Sequence, residues 1–266
     1  MRKNYIKCGD CLQLMSELPN KCIDVVFTSP PYNTGRKTNS EKARKKYWGR
    51  YDIYLDSRTN EQYIDWCCEL FEEFDRLLQK NGVVCWNVSY GTDSQQNNQG
   101  LVWLVIAEII KQTNFTVVDK IIWKKKSALP NNVSPNKLTR ICEDVFIFAR
   151  KTELKTFNCN KEVLSKRSTG QKNYGNIYNF VEAKNNDGSC PLNKATFSSE
   201  FAEKILSIYA PLDWQEDCIV LDPFNGTGST GVACKRLGIS YIGFELSKEQ
   251  CKWSVKRIKE IKNGTD

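Results

Sequence analysis

The chain has 266 residues, of which 40% are hydrophobic and 26% are charged. This length suits one α/β domain with a small insert, and the apolar fraction is sufficient for one core. The 39 lysines and arginines outnumber the 31 acidic residues, and the resulting charge of +8 would suit a polyanionic partner. Because the chain has no histidine, Ser-His-Asp catalysis, Cys-His catalysis and histidine-ligated metal sites are excluded.

The twelve cysteines include one CxxC pair, Cys8 and Cys11. A structural zinc site usually needs a second close pair, so we expect reduced thiols and no metal. No segment approaches the ~20 apolar residues that cross a bilayer, and charge interrupts the N-terminus. We therefore expect a cytoplasmic protein without a membrane partner.

Apolar periodicity predicts strands and helices in alternation. In chain order these are strand Tyr5–Cys8, a helix over Leu12–Leu18, strand Ile23–Phe27, helix Glu61–Lys80 stopped by Asn81 and Gly82, strand Val83–Val88, helix Leu101–Gln112, and strands Thr116–Trp123 and Asp144–Ala149. The last quarter adds helix Ser199–Ala210, strand Cys218–Leu221, a helix ending at Leu237, strand Tyr241–Phe244 and a basic final helix. The alternation indicates an α/β fold with a doubly wound, mostly parallel sheet, in which the strands at 116–123 and 144–149 are candidates for antiparallel pairing at an edge.

Two polar segments interrupt this pattern. The loop at about 34–60 is basic and contains interleaved aromatic residues, which favours contact with nucleic-acid backbone over an ordinary solvated loop. Its basic residues are Arg36, Lys37, Lys42, Arg44, Lys45, Lys46 and Arg50. The segment at about 151–192 is predicted to be a recognition insert, with a plain surface excursion as the alternative. Its candidate nucleic-acid-binding residues are Lys166, Arg167 and Lys172.

A glycine-rich turn follows the strand that ends near Asp222. Glycines at 226, 228 and 231 lead into a helix, an arrangement that lets backbone approach a nucleotide-like ligand closely. The next strand ends in Glu245, which is placed to accept hydrogen bonds from two ribose hydroxyls. The turn has no phosphate-loop lysine and is not G-x-G-x-x-G in register, so a nucleoside cofactor without pyrophosphate is favoured.

The segment Thr28-Ser29-Pro30-Pro31-Tyr32 follows another buried strand. Consecutive prolines make a rigid turn whose carbonyls point in set directions. The Ser29 side chain and the Pro30 carbonyl are predicted to accept hydrogen bonds from one amino group, and Tyr32 offers a face for base stacking. The alternative is a stiff loop with a capping serine.

Both motifs, in this order, resemble the amino-group DNA methyltransferases of the permuted beta class, which use S-adenosylmethionine. The similarity extends with gaps over nearly the whole chain and implies a Rossmann-like, circularly permuted methyltransferase domain spanning residues 1–266. It implies that the cofactor-binding residues are Asp10 at the adenine amino group, Glu245 at the ribose, and Thr28, Thr196, Phe197, Asp222, Phe224, Asn225, Gly226 and Gly228 around the rest of the cofactor. Ahead of Thr196 the family commonly has His-Pro or His-Ala, where this chain has Asn193, Lys194 and Ala195.

The resemblance implies methyl transfer to the exocyclic amine of a base flipped out of duplex DNA, with Ser29, Pro30, Pro31 and Tyr32 as the catalytic segment. No Pro-Cys dipeptide is present, which argues against methylation at carbon 5 of cytosine. Ser-Pro-Pro-Tyr favours cytosine-N4, as does the stretch 136–144, which is similar to that of the cytosine subgroup with Cys142 at the histidine position. Adenine-N6 is the alternative.

Two further hypotheses stay open from the sequence: a DNA-binding module without activity, and a methyltransferase acting on RNA or protein. The expected partner is double-stranded DNA, and a cognate restriction endonuclease is a possible second one. The residues do not give the recognition sequence, because base assignments depend on the docking geometry. They also leave open whether a partner endonuclease exists and whether the protein is a monomer or a homodimer.

Overall fold

A computed structural model describes residues 1–33, 58–89, 100–128, 130, 132, 135, 138–157, 159–188, 196–211 and 217–261. Several predictions concern residues outside these ranges. They are the basic loop residues Arg36, Lys37, Lys42, Arg44, Lys45, Lys46 and Arg50, together with Asn136, Lys137, Asn193, Lys194 and Ala195.

The described strands and helices alternate through most of the chain. The first half contains β1 (Tyr5–Cys8), α1 (Cys11–Ser16), β2 (Ile23–Thr28), α2 (Asn60–Leu77), β3 (Leu78–Val88), α3 (Leu101–Gln112), β4 (Phe115–Lys125) and β5 (Cys142–Arg150). The second half contains β6 (Val163–Lys166), β7 (Lys172–Tyr174), β8 (Phe180–Ala183), α4 (Ser199–Tyr209), β9 (Ile219–Asp222), α5 (Ser229–Leu237), β10 (Ser240–Glu245) and α6 (Lys248–Glu260). The predicted α/β class is confirmed.

Within the described residues, one sheet has the strand order β1-β10-β9-β2-β3-β5-β4-β8. β5 is antiparallel to both of its neighbours, β3 and β4, and the other neighbouring pairs are parallel. The predicted antiparallel pairing of β4 with β5 is therefore confirmed. The edge position belongs to β8, which comes from the segment predicted as an insert, so part of that segment is built into the main sheet.

Helices cover both faces of the sheet. On one face, Phe71 of α2 packs edge-on against Phe148 of β5, with ring centroids 4.8 Å apart. On the other face, Phe201 of α4 stacks on Trp123 of β4 at 4.1 Å. Because β2 lies between these two layers, all six of its residues are buried, as its mostly apolar sequence predicts, and these include the polar residues Asp24 and Thr28.

The predicted end of the second helix is wrong. α2 ends at Leu77, and Asn81 and Gly82 lie within β3 rather than at a helix stop. The cause is tertiary: Leu78 pairs with Ile23 of β2, and the Arg150 guanidinium donates hydrogen bonds to the carbonyls of Leu78 and Gln79 at 2.7 and 2.9 Å. These contacts compete with continuation of the helix, and they are absent from the local pattern.

The parallel strands end at a common carboxyl edge, where Cys8 pairs with Glu245 and Asp222 pairs with Gly243. β9 and β2 are neighbours here, but the chain after β9 continues to β10 on one side and the chain after β2 continues to β3 on the other. In open α/β sheets, such a reversal of strand order produces a crevice that binds ligands. Both sequence motifs begin at this crevice.

Candidate active site at the carboxyl edge of the sheet

The two motifs are joined at a buried carboxylate. Thr28 Oγ1 donates a hydrogen bond to Asp222 Oδ1 at 2.7 Å, and Thr230 Oγ1 donates one to Asp222 Oδ2 at 2.5 Å. The backbone N–H of Phe224 donates a third, to Oδ1, at 3.1 Å. Burial raises the pKa of Asp222 to about 6, although the three hydrogen bonds act in the opposite direction. The structure thus places the start of the Ser-Pro-Pro-Tyr segment beside the glycine turn.

The glycine turn needs its glycines for two reasons. Gly226 and Gly228 have φ values of +51° and +85°, a region that other residues rarely adopt. A Cβ on Gly228 would also lie 2.8 Å from Ser254 Cβ of α6, which is too close for an ordinary contact. The turn therefore combines left-handed backbone with close packing at the start of α5.

Glu245 holds this turn from the neighbouring strand. Its Oε2 accepts a hydrogen bond from the Gly226 N–H at 2.8 Å, and its Oε1 accepts one from the Ser247 N–H at 2.9 Å. Burial raises the pKa of Glu245, and the backbone hydrogen bonds oppose that shift. Since a carboxylate oxygen can accept more than one hydrogen bond, both oxygens retain capacity for ligand hydroxyls.

Asp10 follows β1, the strand next to the one that ends in Glu245, and the Gly9 N–H donates to the Glu245 carbonyl at 3.0 Å. The Asp10 side chain is exposed and caps α1 by accepting a hydrogen bond from the Gln13 N–H at 3.1 Å. The residues predicted for the adenine and ribose therefore lie at the carboxyl ends of adjacent strands. Asp10 also has a structural role as a helix cap, which the sequence motif does not indicate.

The segment before α4 also reaches the turn. A Cβ on Gly226 would lie 3.5 Å from Thr196 Cγ2, and the Phe197 carbonyl accepts a hydrogen bond from Ser229 Oγ at 2.7 Å. Asn225 is buried, and its Oδ1 has no hydrogen-bond partner within the described residues. Thr196, Phe197 and Asn225 thus lie beside the glycine turn.

The Ser-Pro-Pro-Tyr segment is held by contacts of its own. Ser29 Oγ lies 2.7 Å from the Tyr32 hydroxyl, and the Pro31 carbonyl accepts a hydrogen bond from the buried Tyr63 hydroxyl at 2.6 Å. The Asn33 side chain both donates to and accepts from the backbone of Arg58, each at 3.0 Å. These contacts attach the segment to α2 and to Arg58, which lies two residues before the start of that helix.

Sequence patterns did not predict three residues of this site: Tyr63, Asn87 and Glu143. The Tyr32 hydroxyl lies 3.3 Å from both Asn87 Oδ1 and Glu143 Oε2. Asn87 is the polar residue in the buried run Val83–Val88 of β3, a signal that could have identified it. Glu143 lies in the stretch similar to the cytosine subgroup, but its approach to Tyr32 depends on the pairing of β5 with β3.

The predicted recognition residues Lys166, Arg167 and Lys172 lie on the hairpin formed by β6 and β7, and all three are exposed. The Gly175 N–H donates to the Glu162 carbonyl at 2.9 Å and closes the base of this hairpin.

Among the described helices, none is long and apolar enough to cross a membrane. No group of three or more acidic or cysteine side chains in the described ranges could hold a metal ion.

Two known proteins are similar to this chain in sequence over most of its length. Type II methyltransferase M.HinfI of Haemophilus influenzae is 27% identical over 97% of this chain and 69% of its own length. DNA adenine methyltransferase YhdJ of Escherichia coli (strain K12) is 25% identical over 94% of this chain and 81% of its own length.

Two solved structures are similar in fold across nearly the whole chain. The PvuII DNA methyltransferase (cytosine-N4-specific) has a TM-score of 0.70 at 18% identity, covering 98% of this chain and 90% of its own. The M1.HpyAVI-SAM complex has a TM-score of 0.59 at 21% identity, covering 96% and 98%. A protein family described as DNA methylase, of the N6 and N4 methyltransferases, matches residues 23–256. The chain belongs to this family of DNA amino-methyltransferases.

Proposed function

We propose that this protein is a site-specific DNA methyltransferase that transfers a methyl group from S-adenosyl-L-methionine to the exocyclic N4 amine of cytosine in duplex DNA. The observation that carries the proposal is the Thr28–Asp222 hydrogen bond of 2.7 Å, which sets the candidate base-binding segment against the candidate cofactor turn. The enzyme acts in the cytoplasm within a restriction-modification system, with a cognate endonuclease as its partner.

The residues at the crevice fit S-adenosyl-L-methionine. Glu245 offers acceptor capacity for two ribose hydroxyls, Asp10 lies one strand away for the adenine amine, and Gly226 of the turn beside Glu245 is only partly buried. The remaining residues of the proposed cofactor set are Thr28, Thr196, Phe197, Asp222, Phe224 and Asn225. When bound, the cofactor supplies a sulfonium methyl group for transfer to a nitrogen nucleophile.

The protein residues contribute by positioning and electrostatics. The lone pair of an exocyclic amine is delocalised into the base, which makes the nitrogen a weak nucleophile. Hydrogen bonds from the amine to Ser29 Oγ and the Pro30 carbonyl favour a pyramidal nitrogen whose lone pair is available. Stacking on Tyr32 offsets part of the few kcal/mol needed to flip the base out of the duplex. No histidine and no covalent intermediate are needed.

Cytosine is the proposed target because Ser29 provides a neutral hydroxyl as the first residue of its motif, the form associated with the cytosine-N4 subgroup. The fold similarity to the cytosine-N4-specific PvuII enzyme also supports this choice. Adenine-N6 is the second candidate, because the relative YhdJ is a DNA adenine methyltransferase.

The proposed DNA contacts are the basic loop at about 34–60 and the hairpin residues Lys166, Arg167 and Lys172. Both segments belong to the single domain proposed for residues 1–266. Their positive charges suit phosphate contacts, while the recognition of base edges depends on how the duplex enters the crevice.

The test is methylation of unmodified plasmid DNA by the purified protein with isotopically labelled S-adenosyl-L-methionine, followed by base-resolved sequencing and mass spectrometry of the nucleosides. The expected product is N4-methylcytosine at one recurring sequence. Detection of N6-methyladenine instead would replace the cytosine proposal with the second candidate, adenine-N6 methylation. Label that appears in an RNA substrate and not in DNA would contradict the proposal, as would no transfer at all.

A further inference from the structure

A hydrogen-bond network of polar side chains connects Ser29 to an ion pair on the antiparallel strands. Ser29 Oγ lies 2.7 Å from the Tyr32 hydroxyl, which lies 3.3 Å from Asn87 Oδ1 and from Glu143 Oε2. Glu143 forms a salt bridge with Lys125, and its side chain is only 11% exposed. These residues come from the segment after β2 and from β3, β4 and β5, so the network forms only when the sheet is folded.

The partners of Tyr32 determine the direction of the hydrogen bonds in this network. Asn87 Nδ2 donates to the Asp144 carbonyl at 3.3 Å, which turns the Asn87 Oδ1 acceptor toward Tyr32. Glu143, paired with Lys125, also presents only acceptor oxygens. The single hydroxyl hydrogen of Tyr32 must therefore point to Asn87 or Glu143. If it pointed to Ser29 instead, lone pairs on three oxygens would face one another.

Because Tyr32 uses its hydrogen in this way, its oxygen accepts the hydrogen of Ser29. The lone pairs of Ser29 Oγ are then left to accept hydrogen bonds from a bound molecule. We infer that Asn87 and Glu143 are positioning residues that, acting through Tyr32, lock Ser29 as a hydrogen-bond acceptor toward the substrate amine. This inference rests on the proposed function and deepens it.

The lock has a consequence for specificity. An amino group donates hydrogens to Ser29, whereas a ring oxo group at the same place offers only lone pairs. A freely rotating serine could turn its hydrogen toward the oxo group and bind either base. A serine whose hydrogen is committed to Tyr32 repels the oxo group, so the network discriminates amino-bearing bases from oxo-bearing ones.

The test uses Glu143→Gln, Tyr32→Phe and the double variant. In Glu143→Gln, the Lys125 ammonium attracts the amide oxygen, so the amide NH₂ faces Tyr32 and competes with the Ser29 hydrogen for the lone pairs of the Tyr32 oxygen. In Tyr32→Phe the stacking ring remains, but Ser29 loses the acceptor of its hydrogen. The measurement is the single-turnover rate of methyl transfer to DNA, with the dissociation constant of S-adenosyl-L-methionine measured by calorimetry as a check on folding.

Each single variant is expected to transfer the methyl group roughly tenfold more slowly, the effect of one hydrogen bond, with unchanged cofactor affinity. Since both variants act on the same Ser29 hydrogen, the double variant should be no slower than the slower single variant. The matched control is Glu182→Gln, which removes the exposed Lys124–Glu182 ion pair on the neighbouring strands and should leave the rate unchanged.

Three results would overturn the inference: a wild-type rate for Glu143→Gln, a wild-type rate for Tyr32→Phe, or a double variant slowed by the product of the single effects. In each case the wild-type protein still methylates DNA, so the proposed function survives. If the wild-type protein transfers no methyl group to DNA, the proposed function fails and the inference fails with it.

Discussion

Thr28 Oγ1 and Asp222 Oδ1 are joined by a buried 2.7 Å hydrogen bond between residues 194 positions apart in the chain. The bond lies where two adjacent parallel strands, β2 and β9, both end. It fixes the spacing between the segment that begins at Ser29 and the glycine turn that follows Asp222. The geometry of the crevice therefore depends on a contact to which each motif contributes one side chain.

Replacing Thr28 with valine keeps the shape of the side chain and removes the hydroxyl. The buried Asp222 carboxylate then has one donor fewer, so the free energy of unfolding should fall by about 1–3 kcal/mol. Urea denaturation monitored by tryptophan fluorescence measures the change. Thr169→Val, at an exposed hairpin position, is the matched control and should lie within about 0.5 kcal/mol of wild type. Equal stability of Thr28→Val and wild type would remove the structural role from this bond.

The raised pKa of Asp222 predicts a pH-dependent stability. The folded-state pKa is about 6, against an ordinary value of 3.8, because burial disfavours the charged form. The contribution of the bound proton to stability is complete below pH 3.8 and is lost as the pH rises through 6. The stability of wild type minus that of Asp222→Asn should therefore decrease from about pH 4 to about pH 7, by roughly 3 kcal/mol at most. Parallel denaturation midpoints across this range would contradict the assignment.

Glu245→Gln tests the ribose site. One amide NH₂ must then face either the Gly226 N–H or the Ser247 N–H, which replaces an attraction with a contact between two donors. The dissociation constant of S-adenosyl-L-methionine, measured by calorimetry, should rise about tenfold or more. Glu249→Gln, on the exposed face of α6, serves as the control with the same change of charge. An unchanged constant for Glu245→Gln would count against the ribose contact.

Ser29→Ala removes the proposed side-chain acceptor of the substrate amine. The single-turnover rate should fall by about 100-fold or more, because the reacting group no longer has a positioned hydrogen-bond partner. The cofactor dissociation constant should stay nearly the same, since Ser29 has no assigned cofactor contact. Undiminished transfer by this variant would show that the amine is oriented by other groups.

The hairpin charges are tested by salt dependence. Removing one phosphate-binding charge should reduce the slope of log affinity against log salt by about 0.9, so neutralising Lys166, Arg167 and Lys172 together should flatten it by roughly two to three. A triple change of the exposed α6 residues Lys248, Lys252 and Lys259 removes the same charge elsewhere and should leave the slope nearly unchanged. Equal effects of the two triple variants would indicate a response to net charge alone.

Local patterns predicted most of the sheet and both motifs. The buried strand β2 is apolar except for Asp24 and Thr28, and the glycine turn needs conformations that glycine favours, so both can be identified from neighbouring residues. The end of α2 could not, because Arg150 competes for the carbonyls of Leu78 and Gln79 from a distant strand. The contacts on the Tyr32 hydroxyl were unpredicted for the same reason, since Glu143 reaches it only through strand pairing.

The hairpin of β6 and β7 differs in its packing from the rest of the fold. Residues 160–180 are all described, and none of them is buried. The chain is anchored on both sides of this segment. Before it, Arg150 donates a hydrogen bond to the Leu78 carbonyl. After it, Val181 and Ala183 of β8 pack in the main core. Substitutions at the hairpin surface should therefore leave the crevice intact, so under the proposed function the DNA sequence contacted by this hairpin can diverge in evolution, or be exchanged by grafting, while the chemistry of the crevice is retained.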